Sequence, residues 1–349
     1  MAQFDPFTLD LFGSSALSSG LGLGVTAFPT AFESGDAEHE PSSSQSDFFP
    51  AAASAPAKAQ LARSDNFHLA GTRGLAKFWR DRARDNLAAI KLATSIEAEQ
   101  RPATADEQAK LIRFTGFGAS ELANGIFRRP GEEGFRKGWE EIGTELEITV
   151  ANGDYASLQR CTQYAHFTPE YIARAVWEGV ARLGFHGGRV LEPGMGTGLF
   201  PALMPRHLRD LCHVTGVELD PVTARIAKLL QPRAKIINGD FARTELRAHF
   251  DLVIGNPPFS DRTVRSDRAF RALGLRLHDY FIAKSLHLLK PGGLAAFVTS
   301  HGTFDKADVT ARAHIAGMAD LIAAIRLPEG SFRADAGTDV VVDILFFRK

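Results

Sequence analysis

Residues 189–200 read RVLEPGMGTGLF. An apolar run of strand character ends in an acid, Glu192. It opens into a loop carrying Gly194, Gly196 and Gly198, and an apolar helical start follows. Glycines at such a turn let the backbone approach a ligand that side chains would exclude. The spacing is GxGxG rather than GxGxxG, and the acid precedes it within the strand. Six more short apolar runs follow: HVTGVEL, AKIINGD, DLVIGNPP, LAAFVTS, LIAAIRLP and VVVDILFFR. Helical or loop segments separate the first six of the seven runs. This alternation predicts a parallel, doubly wound α/β sheet. The link EGSFRADAGTD (329–339) is too short for a crossover helix, so the last two strands should pair antiparallel.

Four further motifs lie on this frame. GVELDP places Glu218 at the end of the second strand, twenty residues after Gly198. An acid there accepts the ribose hydroxyls of a nucleoside cofactor, whether NAD or S-adenosylmethionine. Asp220, before Pro221, reads as the cap of the next helix. INGDF closes the third strand: Asp240 and Phe241 are either an adenine contact or a helix cap followed by a core aromatic. DLVIGNPPF ends the fourth strand with Asn256, Pro257, Pro258 and Phe259. Two prolines fix the backbone so that the Asn256 side chain and the Pro257 carbonyl can face one target. They offer two acceptors to the two hydrogens of a planar amine, and Phe259 can stack on the ring that bears it. Upstream, FTP (167–169) opens a helix that Thr168 is expected to cap. The helix N-terminus there is either a plain cap or a seat for a cofactor carboxylate. The acid before the glycine loop favours S-adenosyl-L-methionine, whose cationic amino group wants a nearby carboxylate.

The chain has 349 residues, 44% hydrophobic and 23% charged, a composition with enough apolar material for a sizeable core. Residues 1–57 hold seven acids and no Lys or Arg, so the remaining 34 acids face 40 basic residues, a net of +6. A mildly basic body is compatible with nucleic acid. Residues 1–60, rich in Ser, Ala, Gly and Pro, read as a disordered acidic leader whose phenylalanines are either partner docking points or part of a passive tail. Residues 61–160 read as a mainly helical region. An amphipathic helix is expected from about Leu75 to Arg101-Pro102, and another starts at Thr104 with Glu107 three residues on. RFTGFGASEL (113–122) reads as a glycine-punctuated loop. Two cysteines, Cys161 and Cys212, are too few for a disulfide scaffold or a Cys-only zinc site, and neither belongs to a CxxC, so they read as ordinary thiols. No metal is expected. No apolar run is long enough for a membrane span, and a cytoplasmic location is expected.

In this order, FTP, the glycine loop and NPPF resemble the N6-adenine DNA methyltransferases of the class I S-adenosylmethionine-dependent fold, over roughly residues 160–349. RFTGFGASEL, a Trp-containing helix and YASLQRCTQYAHFTP extend the resemblance to the methylase segment of very large methylase–helicase proteins of phages, plasmids and conjugative elements, some tied to antirestriction. The resemblance implies a Rossmann-like seven-stranded sheet over 161–349, with an antiparallel last strand. It implies that Glu192, Gly194, Gly196, Glu218, Asp240 and Phe241 hold the cofactor, and that Asn256, Pro257, Pro258 and Phe259 hold a flipped adenine of duplex DNA. It also implies a helicase region in the same longer polypeptide. Such enzymes usually carry a target-recognition domain, often C-terminal. Here the last strand ends at Lys349, so either that part is missing, as in a fragment, or residues 61–160 substitute for it.

The loop after NPPF, SDRTVRSDRAFRALGLRL, carries Arg262, Arg265, Arg268, Arg271 and Arg276 against Asp261 and Asp267. These arginines either meet phosphates beside an extruded base or form a solvated helical face. NPPF also occurs in ribosomal RNA guanine methylases, and related tetrapeptides occur in protein glutamine methylases. An RNA or protein amino-group methyltransferase, and a non-catalytic binding module, are therefore the rival readings.

Overall fold

The computed structural model describes residues 65–349 except 129, 130 and 132. The leader expected at 1–60 lies outside the described residues. Five helices come first: α1 (Trp79–Ala98), α2 (Ala105–Leu111), α3 (Ser120–Ile126), α4 (Glu140–Thr149) and α5 (Asn152–Cys161). Then follow α6 (Glu170–Arg182), β1 (Gly188–Pro193), α7 (Leu199–Ala202), β2 (Cys212–Glu218), α8 (Pro221–Leu230), β3 (Lys235–Asn238) and β4 (Phe250–Gly255). The chain closes with α9 (Leu277–Leu288), β5 (Leu289–Ser300), α10 (Gly302–Asp305), α11 (Thr310–Ala316), β6 (Asp320–Arg326), α12 (Arg333–Ala336) and β7 (Val342–Arg348).

The seven strands form one sheet in the order β3-β2-β1-β4-β5-β7-β6. Strands β1 to β5 pair parallel, and β7 runs antiparallel between β5 and β6. The predicted antiparallel pairing is therefore present, and β7 makes it on both sides. Strand β5 begins five residues before the predicted run, because Leu289 pairs with Phe250 ahead of an irregularity. The central strands are buried on both faces, with period-two alternation, while the edge strands β3 and β6 are largely exposed. Leu252, Ile254, Ala296, Val298, Ile344 and Phe346 join the core on one face, which also takes α1 and α6. Leu191, Val253, Ala295, Phe297, Leu345 and Phe347 join the core on the other, under α9. Burying each such large side chain contributes about 1.5–3 kcal/mol.

Helix α1 starts at Trp79 rather than near Leu75, and Phe78 at its N-cap is exposed. Its buried stripe, Leu87, Ile90 and Ile96, packs with Val222, Ile226 and Leu230 of α8 in one shared core. Thr104 makes the expected capping box with Glu107, which stabilises α2 by about 1 kcal/mol. Thr168 does not cap α6. The cap position falls one residue later, on extended Pro169, and makes no side-chain bond. Residues 260–276 form no helical face: apart from a short turn at Arg271–Leu273 they are irregular, stitched by Val264 N donating to Leu275 O at 3.0 Å. Among the described residues, no helix is long and apolar enough to cross a membrane, and no group of three or more His, Cys, Asp or Glu side chains is placed to hold a metal ion.

Candidate active site

The C-terminal ends of β1, β2, β3 and β4 open into a cavity of about 360 Å³. It sits where the strand order reverses about β1, the crevice in which open α/β sheets take ligands. Thr168, Glu192, Gly194, Gly196, Glu218, Asp240, Phe241, Asn256, Pro258, Arg262 and Arg265 all line it. Gly198, Pro257, Phe259, Arg268 and Arg271 do not. Phe259 packs instead against the core.

The glycine loop leaves β1 with positive φ at Gly194, Gly196 and Gly198, a path closed to most side chains. Gly194 N and Met195 N both donate to Val217 O, at 2.8 and 3.1 Å, which pins the loop to β2. Glu218, at the end of β2, is held from both sides: its Oε2 accepts Gly196 N at 2.8 Å and its Oε1 accepts Asp220 N at 2.9 Å. Burial nevertheless pushes its carboxyl up to about 7. Glu192 is 3% exposed and its Oε2 has no partner among the described residues. Burial, and then the neighbouring Glu218 charge, push its carboxyl well above the usual range. Two carboxyls in one pocket without a cation are costly unless a ligand supplies donors or positive charge. A ligand with an ammonium group and ribose hydroxyls supplies both, so these residues fit S-adenosyl-L-methionine.

Asp220 lines the same wall but is committed elsewhere. Its Oδ2 accepts Thr223 N and Thr223 Oγ1, both at 2.8 Å, and its Oδ1 accepts Ser157 Oγ at 2.7 Å. It caps α8, as the sequence predicted, and ties α5 to it. Asp240 Oδ1 accepts Ala242 N at 2.9 Å in a turn, with no helix following. Phe241 is buried, with its ring 4.9 Å from Phe281. It therefore serves the core and the cavity together.

On the far side, Asn256 Nδ2 donates to His166 O at 3.0 Å, and Asn256 Oδ1 is buried without a partner among the described residues. An amide NH₂ can face a carbonyl and an amide oxygen cannot, so this bond turns the oxygen outward as an acceptor. Thr168 contributes through its backbone: its carbonyl accepts Arg73 Nη2 at 3.1 Å. The loop after NPPF is anchored at Asp267, which accepts Tyr280 Oη at 2.7 Å and lies 3.2 Å from Lys284 Nζ. Lys284 also donates to Phe241 O at 2.7 Å. One buried lysine thus joins the arginine loop to the cavity wall. The guanidinium groups of Arg262, Arg265 and Arg268 have no hydrogen-bond or ion-pair partner among the described residues. Arg271 is occupied with Arg265 O at 2.9 Å, and Arg276 pairs with Asp261.

Sequence reasoning missed Tyr164, His166, Phe167, Leu277 and Phe281, which also line the cavity. Tyr164 and His166 precede FTP and Phe167 opens it, so that motif was the available signal. Leu277 and Phe281 lie four apart on α9.

The strand order, the antiparallel β7 and this pocket define a class I S-adenosylmethionine-dependent methyltransferase fold. Within that class, residues 214–325 match the Eco57I restriction-modification methylase family. The defense against restriction protein B of Escherichia phage P1 is 32% identical over 190 residues, 53% of this chain and 8% of that protein. The type II methyltransferase M.CvrRI of Paramecium bursaria Chlorella virus XZ-6E is 37% identical over 97 residues, 28% of this chain and 24% of that one. A tRNA1(Val) (adenine(37)-N6)-methyltransferase of Porphyromonas gingivalis is 28% identical over 143 residues, 37% of this chain and 56% of that enzyme. The chain thus spans a small part of the phage protein and about half of the tRNA enzyme.

Proposed function

We propose that this chain transfers a methyl group from S-adenosyl-L-methionine to the exocyclic N6 amine of adenine in DNA. The observation that carries the reading is Asn256: a buried, unpartnered amide oxygen, oriented by His166, in the same cavity as Glu192 and Glu218.

Bound S-adenosylmethionine supplies a methyl sulfonium, an electrophile that needs no activation by the protein. In this reading Glu218 accepts the ribose hydroxyls and Glu192 faces the ammonium group. Asn256 Oδ1 accepts an amine hydrogen. That draws the nitrogen lone pair out of conjugation and holds it in line with the methyl carbon. With the donor held there, transfer would form the carbon–nitrogen bond as the carbon–sulfur bond breaks, the donor would leave as a neutral thioether, and the amine proton would pass to water. No strong base is required; catalysis is positioning and hydrogen-bond polarisation. Arg262 and Arg265 stand at the rim, where phosphates flanking an extruded base would lie.

Restriction-modification methylases act on DNA, and the family match supports that polymer. The tRNA relative supports RNA adenine as the second reading, with the same acceptor atom. A longer polypeptide around this segment, a helicase region included, belongs to the proposal; the small share of the phage protein that the chain matches supports the longer context. Transfer of labelled methyl to duplex DNA and to RNA, with digestion to nucleosides, separates the two polymers. N6-methyladenine in DNA supports the first reading, and label confined to RNA supports the second.

A further inference from the structure

The carbonyl that orients Asn256 belongs to residue 166, ninety positions away in the chain. What holds that carbonyl comes from the helical region. Gly118 lies so close to the segment that a Cβ built on it would stand 2.1 Å from Ala165 O and 2.6 Å from Ala165 C. Its backbone conformation does not demand glycine; the space does. The loop bearing Gly118 is itself clamped to α1. Asn86, fully buried, donates to Gly116 O at 2.6 Å and accepts Thr115 N at 2.9 Å. Ring contacts add to the clamp: Phe114 meets Phe117 and Phe167 edge to face, at 6.2 and 6.3 Å.

The segment is also fixed from its other end. Arg73 is 2% exposed; it donates through Nε to Glu170 at 2.8 Å and through Nη2 to Thr168 O. Residues 165–168 therefore have little room to shift. Ala165 C and O, the atoms that Gly118 touches, lie one peptide unit before the His166 carbonyl.

We propose that the Thr115–Ala119 loop, clamped by Asn86, is a positioning element for Asn256. Through the close backbone contact of Gly118 with Ala165 it sets the His166 carbonyl, and that carbonyl turns the Asn256 amide oxygen toward the acceptor amine. The inference rests on Asn256 being the amine acceptor. It gives the helical region a part in the chemistry that is separate from target recognition. An interaction made to one oriented oxygen is sensitive to misplacement: a shift of about 1 Å can cost about a hundredfold in rate.

The test uses the full chain in four forms: wild type, Gly118→Ala, Asn256→Ala and the double variant. Single-turnover transfer of labelled methyl to an adenine-containing duplex is measured beside S-adenosylmethionine affinity and melting temperature. Gly118→Ala is expected to lower transfer by about 10- to 100-fold while leaving cofactor affinity within about twofold. On the Asn256→Ala background it is expected to cost nothing more, since the group it positions is gone. An equal loss on both backgrounds overturns the proposal. Full transfer by Asn256→Ala instead overturns the assignment of Asn256 itself, a separate failure. Where Gly118→Ala does not fold, Ala165→Gly loosens the segment from its own side: it removes the methyl that lies beside Gly116 of the same loop and frees the backbone that Gly118 abuts. NMR then reads the Asn256 side-chain amide directly, without any acceptor. In wild type its protons should exchange about tenfold more slowly than those of a free amide, and in Ala165→Gly that protection should be lost. An unprotected amide in wild type, or protection unchanged in the variant, overturns the proposal.

Discussion

The two halves of the cavity are built in different ways. The half proposed for the cofactor comes from one continuous stretch, β1 to the turn after β3, and its polar groups are carboxyls, two of them fixed by nearby amides. Glu218, for example, is held by Gly196 N and Asp220 N. The acceptor half is assembled from distant segments. Asn256 leans on residue 166, that segment leans on Gly118 and Arg73, and the arginine loop is tied to Phe241 through Lys284. The first half gathers buried carboxyls whose ionisation a cationic ligand would favour. The second presents one neutral, oriented oxygen. Charge deficits bind a ground-state ligand; an oriented dipole acts where charge develops in the transition state.

That division makes substitutions in the two halves separable. The largest effect is expected at Asn256. Asn256→Ala should lower turnover by about two to three orders of magnitude and leave S-adenosylmethionine affinity nearly unchanged, as read by single-turnover rates beside calorimetry. Loss of affinity with unchanged turnover would erase the distinction between the halves. Next is Glu218→Ala, which should weaken cofactor binding by about 1–3 kcal/mol through lost charge-assisted bonds. NAD should show no measurable binding in the same titration. A variant that bound S-adenosylmethionine as well as wild type would take Glu218 out of the cofactor half.

The raised carboxyls give a pH signature of intermediate size. The folded-state value of Glu218, about 7, lies above its unfolded value. The folded chain therefore holds a proton that the unfolded chain has already lost. That stabilising contribution is fully present below the unfolded value and is lost as pH rises through about 7. Glu192 shifts in the same direction. The ligand-free protein should thus melt at a lower temperature at pH 8 than at pH 6. Affinity for the cationic cofactor should rise over the same window, and Glu218→Gln should flatten both trends. A melting temperature that rose through pH 7 in wild type and not in Glu218→Gln would contradict the sign.

The smallest effect is expected at the rim. Replacing Arg262 and Arg265 together with Ala should weaken DNA binding and flatten its dependence on salt by about two counterions, with cofactor binding preserved. Arg268→Ala, outside the cavity, should do less. Equal slopes for all of these variants would make the cavity-facing arginines ordinary surface charges.

The fold was largely legible because the central strands β1, β4, β5 and β7 are buried on both faces and so read as short apolar runs. The run ending at Glu192 and the run before Asn256 are examples. Strand ends are where a parallel sheet presents its polar groups, so Glu192, Glu218 and Asn256 stood out in the same way. What escaped depends on contacts between segments far apart in sequence. Thr168 looked like a cap because Thr-Pro before an apolar helix fits the pattern, yet the chain stays extended through Pro169. Phe259 looked like a stacking ring and turned to the core. Nothing in the sequence around His166 or Gly118 shows that a backbone carbonyl and a missing Cβ meet there.

The claim that the cavity methylates the N6 amine of adenine in DNA is tested most directly by identifying the product. The full chain is incubated with labelled S-adenosylmethionine and an adenine-containing duplex, the DNA is digested to nucleosides, and the labelled nucleoside is identified for wild type and Asn256→Ala. The expected result is N6-methyladenine from wild type and about a hundredfold less from the variant. Label in RNA or protein with none in DNA, or full N6-methyladenine from Asn256→Ala, would contradict it.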